Sequence, residues 1–273
     1  MPDLLKHDMS RAPNFRLFWL AMILLILGTL LLRFDNGKVD ICITSAFYNA
    51  ELPAGERFFL ANEMPWYWLK QNDDSFTVAL MVILLFLLAV GLVNQKYRPC
   101  IRYSFFGLTS MIIGPGLLVN VLLKGYWGRP RPSQTVLWPD SETPDNLPFY
   151  KVWDPAFLDG LDKASFPCGH ASIVVVYVIL FYIFKHPETI AYITDSQHAW
   201  QIKLFFFAKY SGLVIGFIGG GIMGFARIVQ GAHHASDVLW TFGIVLLVNW
   251  SLYYYVFRIP GWENNLQMKK DRK

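Results

Sequence analysis

Charge is scarce in this sequence. Of its 273 residues only 16% are Asp, Glu, Lys or Arg, whereas 54% are hydrophobic and 16% aromatic. A soluble domain of that length can bury a good core, but it does not combine so few charges with a mean hydropathy of +0.35. Cysteine is nearly as rare. Cys42, Cys100 and Cys168 show no CxxC spacing, so neither a zinc site nor a redox pair is indicated, and nothing further supports a Cys42–Cys168 disulfide. There is no internal repeat, no low-complexity tract and no long basic run outside the tail from Lys269 to Lys273. The net charge of +4 and pI of about 8.9 are therefore not those of a nucleic-acid binder. Lys and Arg collected in the cytoplasmic loops of a membrane protein account for them.

What is abundant is uninterrupted apolar sequence. About six blocks are long enough to cross a bilayer as helices, at roughly Asn14–Leu32, Phe76–Asn94, Ser104–Leu123, Ala171–Phe184, Leu204–Phe225 and Asp237–Phe257. The fold class expected is all-α, a polytopic membrane protein forming one domain over 1–273. The first block is long, has no small-x-small cleavage site and runs into Leu31-Leu32-Arg33, so it reads as an uncleaved anchor and not a signal peptide.

The charges that remain are biased. Lys6, Arg11 and Arg16 precede the first span, and Lys96, Arg98 and Arg102 crowd the link between the second and third. Lys185 and Lys203 flank the fourth link, and Arg258, Lys269, Lys270, Arg272 and Lys273 follow the last span. The alternate loops carry the acids, among them Asp35, Asp40, Glu51, Asp140, Glu142, Asp145, Asp154, Asp159 and Asp162. The positive-inside rule then places both termini in the cytoplasm and the acidic loops outside. In the first outer loop, 35–75, Pro65-Trp66-Tyr67-Trp68 suits a turn or helix anchored at the interface.

Three groups place ionisable residues at the outer membrane boundary. Lys124, at the end of the third span, is followed by Arg131-Pro132, which pairs a flexible point charge with a planar fork of donors suited to phosphate oxygens. Pro167-Cys168-Gly169-His170 opens the fourth span. Such a turn aims backbone N–H groups at an anion, with a histidine beside it to hold or donate a proton. Arg227 precedes His233 and Asp237. If both begin a helix, they share a face one turn apart, and the carboxylate can accept a hydrogen bond that fixes the imidazole tautomer. His234 would point about 100° away. Each group alone has a plainer reading: snorkelling cations, a capped helix start, an interfacial histidine. The span count, however, puts all three on one outer face, and ionisable residues at that depth are costly unless they serve a function. A metal site among His170, His233, His234 and Asp237 is disfavoured, because adjacent histidines rarely face one ion and three cations stand nearby.

In order and spacing, Lys124…Arg131-Pro132, Pro167-Cys168-Gly169-His170 and Ala226-Arg227…His233…Asp237 resemble the three-part signature K-x6-R-P, P-S-G-H and S-R-x5-H-x3-D of the type-2 phosphatidic acid phosphatase superfamily. The resemblance covers a core of about 104–257. Two positions depart from it: Cys168 and Ala226 stand where serines are usual, which removes two hydroxyls from the phosphate site.

The resemblance implies a six-helix, metal-independent phosphatase without cofactor, acting on a membrane lipid phosphate through a phosphohistidine. His233 would be the nucleophile, oriented by Asp237, and His170 the proton donor. Lys124, Arg131, Arg227 and the Cys168-Gly169 turn would hold the phosphoryl oxygens. It also implies a bacterial inner membrane, with lipid A, undecaprenyl diphosphate or phosphatidylglycerol phosphate as candidate substrates. Long, polar outer loops have room for a sugar headgroup, which tips that list toward lipid A. Two readings compete: transfer of the phosphate to another lipid, and a binding or transport protein, which would have no use for an imidazole backed by a carboxylate.

Overall fold

The computed structural model describes residues 13–141, 147, 164–196 and 198–272. Lys6, Arg11, Lys273 and the acids at 142, 145, 154, 159 and 162 lie outside the described residues. Helix α1 (Arg16–Arg33) is apolar around its whole girth, and Ile23, Ile26 and Leu30 stay half exposed, as side chains facing lipid do. A short turn leads into α2 (Lys38–Ser45). The first outer loop then runs to α3 (Trp66–Gln71) and into the spanning helix α4 (Asp73–Val93).

Helix α5 (Pro99–Met111) opens on a proline, whose missing N–H costs nothing in a first turn. It continues through a π-helical stretch, Ile112–Leu123, into α6 (Lys124–Trp127). Pro115 lies inside that stretch; without an N–H and with a ring that crowds the preceding turn, it widens the helix. Asn120 Nδ2 donates to the Pro115 carbonyl at 2.8 Å and so braces the widened stretch.

Helices α7 (Gly169–Val175) and α8 (Val178–Ile183) form the centre of the bundle. Ala171, Val174, Val175, Val178 and Ile179 are all buried. The chain then bends by 64° into α9 (Pro187–Ile193), so the fourth span, expected at Ala171–Phe184, begins two residues earlier and is a broken helix. Pro187 forces the break, since it cannot continue α8. Helix α10 (Ala199–Val214) passes through a π-helical turn into α11 (Gly220–Val229). Helix α12 (Ala235–Ser251) packs along α1 and leads to α13 (Ile259–Asp271).

Among the described residues five helices are long and apolar enough to cross a membrane, or six if the bent pair counts as one span. Among the described residues there are no strands, only two isolated bridges, Tyr48–Phe58 and Thr135–Leu147. The protein is an all-α polytopic membrane protein. One half of the bundle is held by the rings of Phe106, Tyr182 and Tyr253, whose centroids lie 4.9–6.2 Å apart.

At the other end the two outer loops are knitted together. Asp140 Oδ1 accepts from the N–H groups of Gly55 and Arg57, both at 3.0 Å, and Trp138 Nε1 donates to Ser45 Oγ at 3.0 Å. Gly231, in the turn after α11, has φ +64, and a Cβ there would lie 2.3 Å from the Phe58 ring. Glycine is thus required both for the left-handed backbone and for the loop to settle on that turn.

Candidate active site

Three helix ends and one turn deliver the site to a single end of the bundle. Lys124 opens α6, His170 sits in the first turn of α7, and Arg227 lies in the last turn of α11. His233 occupies the turn between α11 and α12, and its ring centroid stands 6.2 Å from that of His170. Arg227, His233, Lys124 and Arg131 all act electrostatically on His170. The three groups, spread over about a hundred positions of sequence, meet around that imidazole.

His233 is almost wholly buried, and its Nδ1 lies against the backbone carbonyl of Ser165. A carbonyl oxygen can only accept, so Nδ1 carries the hydrogen and Nε2 holds the free lone pair. This partner differs from the expected one. Asp237 Oδ2 lies 3.8 Å from Nδ1, close enough to act by charge but too far for a hydrogen bond. The reason is where the helix starts: α12 begins at Ala235, with His234 as an extended N-cap, so His233 stands outside the helix that was to align it with Asp237.

Asp237 instead ties three segments together. Its Oδ2 accepts from Ser165 Oγ at 2.6 Å and from the His234 N–H at 2.9 Å, the latter closing the helix cap. Its Oδ1 accepts from Arg129 Nη1 at 2.5 Å. Arg129 is 1% exposed, and its other arm, Nη2, meets Asp40 Oδ2 at 3.0 Å. Asp40 also accepts from the N–H and hydroxyl of Ser236. Two buried carboxylates therefore flank one buried guanidinium directly beneath the histidine.

Neither Asp40 nor Arg129 stands out in the sequence. Arg129-Pro130 duplicates the Arg131-Pro132 dipeptide and is the one signal that pointed to Arg129. Asp40 is one acid among many in the outer loops. Ser165 acts through a backbone oxygen, which no side-chain pattern announces.

Cys168 is the buried N-cap of α7. Its N–H donates to Thr241 Oγ1 at 2.9 Å, so the α7 N–H groups left to face an anion begin at Gly169. A Cβ on Gly169 would lie 2.3 Å from Asn120 Oδ1, and glycine is what lets the turn sit against the span carrying Lys124. Ala226 is fully buried. Arg227 is braced by Gln230, whose Oε1 accepts from Nη1 at 2.5 Å while its Nε2 donates to the Trp66 carbonyl at 2.8 Å. The Pro65–Trp68 segment, expected as an interfacial anchor, thus also steadies a cation of the site.

Burial disfavours charge on His233, but the neighbouring Cys168 sulfur, whose own pKa the histidine lowers, and the Asp237 carboxylate outweigh it and raise the pKa above the ordinary histidine value. His234 goes the other way. Burial and the Arg129 cation hold it down to about 4, so it stays neutral, its ring 6.2 Å from that of Trp138. Among the described residues, no group of three His, Cys, Asp or Glu side chains is placed to hold a metal ion.

Residues 104–260 match the PAP2 superfamily. The chain belongs to that family. Together with the fold, this makes the protein a membrane-embedded lipid phosphatase. It is 30% identical over 227 residues to the lipid A 4'-phosphatase of Francisella tularensis subsp. novicida (strain U112), an alignment covering 81% of this chain and 87% of that one. Shorter stretches match the lipid A 4'-phosphatases of Rhizobium etli, 69% identical over 29 residues, and Rhizobium leguminosarum, 68% over 28. These two cover 11% and 10% of this chain, and 11% and 12% of theirs. No solved structure matches the chain.

Proposed function

We propose that this member of the PAP2 superfamily removes the 4'-phosphate of lipid A through a phosphohistidine on His233, without a metal. The observation that carries the mechanism is the pair His233 and His170, 6.2 Å apart at their ring centres, with Lys124, Arg131 and Arg227 around them. That separation accommodates a phosphoryl group with an imidazole on either side, the arrangement an in-line displacement needs. The choice of lipid rests on the Francisella relative, which aligns over most of both chains, and on the polar composition of the outer loops in the sequence.

In the first step His233 Nε2 attacks phosphorus. An N–P bond forms, the P–O bond to the sugar breaks, and His170, protonated once the bound phosphate dianion offsets the surrounding cations, gives its proton to the departing oxygen. Nδ1 keeps its hydrogen on the Ser165 carbonyl, so the phosphorylated ring is cationic, and Asp237 at 3.8 Å stabilises it. Lys124, Arg131 and Arg227 neutralise the charge on the equatorial oxygens. In the second step His170 takes a proton from water, which attacks phosphorus and releases inorganic phosphate.

The site faces the periplasm and both termini the cytoplasm of an inner membrane. Lys96, Arg98, Arg102, Arg258, Lys269 and Lys270 lie toward the end of the bundle opposite His233, as positive-inside orientation requires.

The test is phosphate release by purified protein in detergent with EDTA, from lipid A, undecaprenyl diphosphate and phosphatidylglycerol phosphate. The proposal expects lipid A to be the best substrate, with release that survives chelation and is absent in His233→Ala. Release that stops with EDTA would remove the metal-free mechanism. A different best substrate would remove lipid A. Phosphate recovered on a second lipid instead of in water would make the protein a transferase.

A further inference from the structure

The end of the bundle opposite His233 holds a groove of about 960 Å³, bounded by the link between α4 and α5, the end of α9, and α13. Its cations come from the link and the first turn of α5: Lys96, Arg98 and Arg102. Ile101, Phe105 and Trp262 supply apolar lining, and Phe105, 51% exposed, carries that surface out toward lipid.

The charge in this groove is unbalanced. Its one lining carboxylate, Asp195, is paired with Lys270 and also acts on Lys96, so four cations share a single counter-charge in the groove. Arg98 makes no side-chain hydrogen bond or ion pair among the described residues. Arg102 is already held in place: Nε donates to the Phe257 carbonyl at 3.1 Å, Nη2 donates to the same oxygen, and the guanidinium lies 5.2 Å from the Trp262 ring centroid. Its Nη1 makes no hydrogen bond among the described residues. A fixed guanidinium with a spare arm, two further cations and an interfacial tryptophan beside an apolar wall match a phosphate that carries acyl chains.

We propose that this groove binds the headgroup of an acidic phospholipid from the leaflet opposite the one that supplies the substrate. The phosphate sits against Arg102 Nη1, Arg98 and Lys96, and an acyl chain follows Ile101 and Phe105 into the bilayer. Basic recesses between membrane helices select anionic headgroups in this way. A soluble phosphate would find the cations but would gain nothing from the apolar wall.

The experiment is native mass spectrometry of the full chain, with phosphatidylglycerol and phosphatidylcholine at equal concentrations. The expected result is one retained phosphatidylglycerol, favoured over phosphatidylcholine by about tenfold. That preference falls to parity in the K96Q/R98Q double variant, persists in R227Q, and is not displaced by glycerol phosphate at the lipid's concentration. Neither Lys96 nor Arg98 touches the phosphatase site, so unchanged turnover by the double variant shows that it is folded. Equal retention of the two lipids overturns the proposal. So does a preference that survives K96Q/R98Q but is lost in R227Q, which would assign the lipid to the active site, and so does displacement by glycerol phosphate.

Discussion

At the scale of single residues, the proposed mechanism rests on His233 and its two neighbours. Nδ1 of His233 points at the Ser165 carbonyl, a partner that cannot give up or take a proton, so the attacking nitrogen is decided by backbone geometry. Asp237 contributes charge instead of a hydrogen bond, and with Cys168 it raises the His233 pKa against the effect of burial. The sign of the pH dependence follows. The nucleophile must be neutral, a raised pKa keeps it protonated to higher pH, and turnover is lost as pH falls through a value above that of an ordinary histidine. A kcat/KM profile should show this acid limb, and D237N, which removes the negative charge, should move it to lower pH. An unmoved limb in D237N would mean that Asp237 acts on the fold alone. Cys168 holds the cap position of the usual serine, and its N–H is committed to Thr241, so C168S should keep turnover within about tenfold of the parent in the same assay.

At the scale of elements, the site depends on a helix outside the matched region. Asp40, on α2, reaches Arg129 and Ser236 and so couples the first outer loop to the start of α12. Arg129 is the one counter-charge between Asp40 and Asp237, so losing it leaves two buried carboxylates uncompensated, where even one broken buried pair costs about 3–5 kcal/mol. R129Q should therefore lower the thermal midpoint in detergent and reduce turnover, and D40N/R129Q, which removes one of the two stranded charges, should recover part of the midpoint. An R129Q protein as stable as its parent would remove this coupling. Gly231 is the second such contact: G231A should depress turnover by loosening the Phe58 loop from the turn that carries His233.

The spans, their order and the charged residues at their outer ends were legible in the sequence, because apolar runs and ionisable residues within them are strong signals. The Asp40–Arg129–Asp237 layer was not, because its pairing depends on how α2 folds back over the bundle. The start of α12 was misplaced by two residues, and that shift exchanged the partner of His233. The bend after α8 was missed although Pro187 stood in view, since a short apolar block does not show whether the helix goes on.

At the scale of the whole molecule, the two ends of the bundle differ in kind. One end carries knitted loops over a cationic, histidine-containing site, and the other carries Lys and Arg beside an apolar groove. Cysteines placed one at a time in a C42S/C100S background, where the remaining Cys168 is fully buried, test how this asymmetry sits in the membrane. E51C should react with an impermeant thiol reagent from the periplasm of intact cells, and K269C only after permeabilisation; the reverse pattern would invert the orientation. The central claim, a covalent bond between His233 and the substrate phosphate, is tested most directly by rapid acid-free quenching of turnover on lipid A labelled with 32P at the 4' position. The account predicts protein-bound label that is stable to alkali, labile to acid and absent in H233A. A protein that turns over lipid A without ever carrying label, or that carries it equally in H233A, would contradict it.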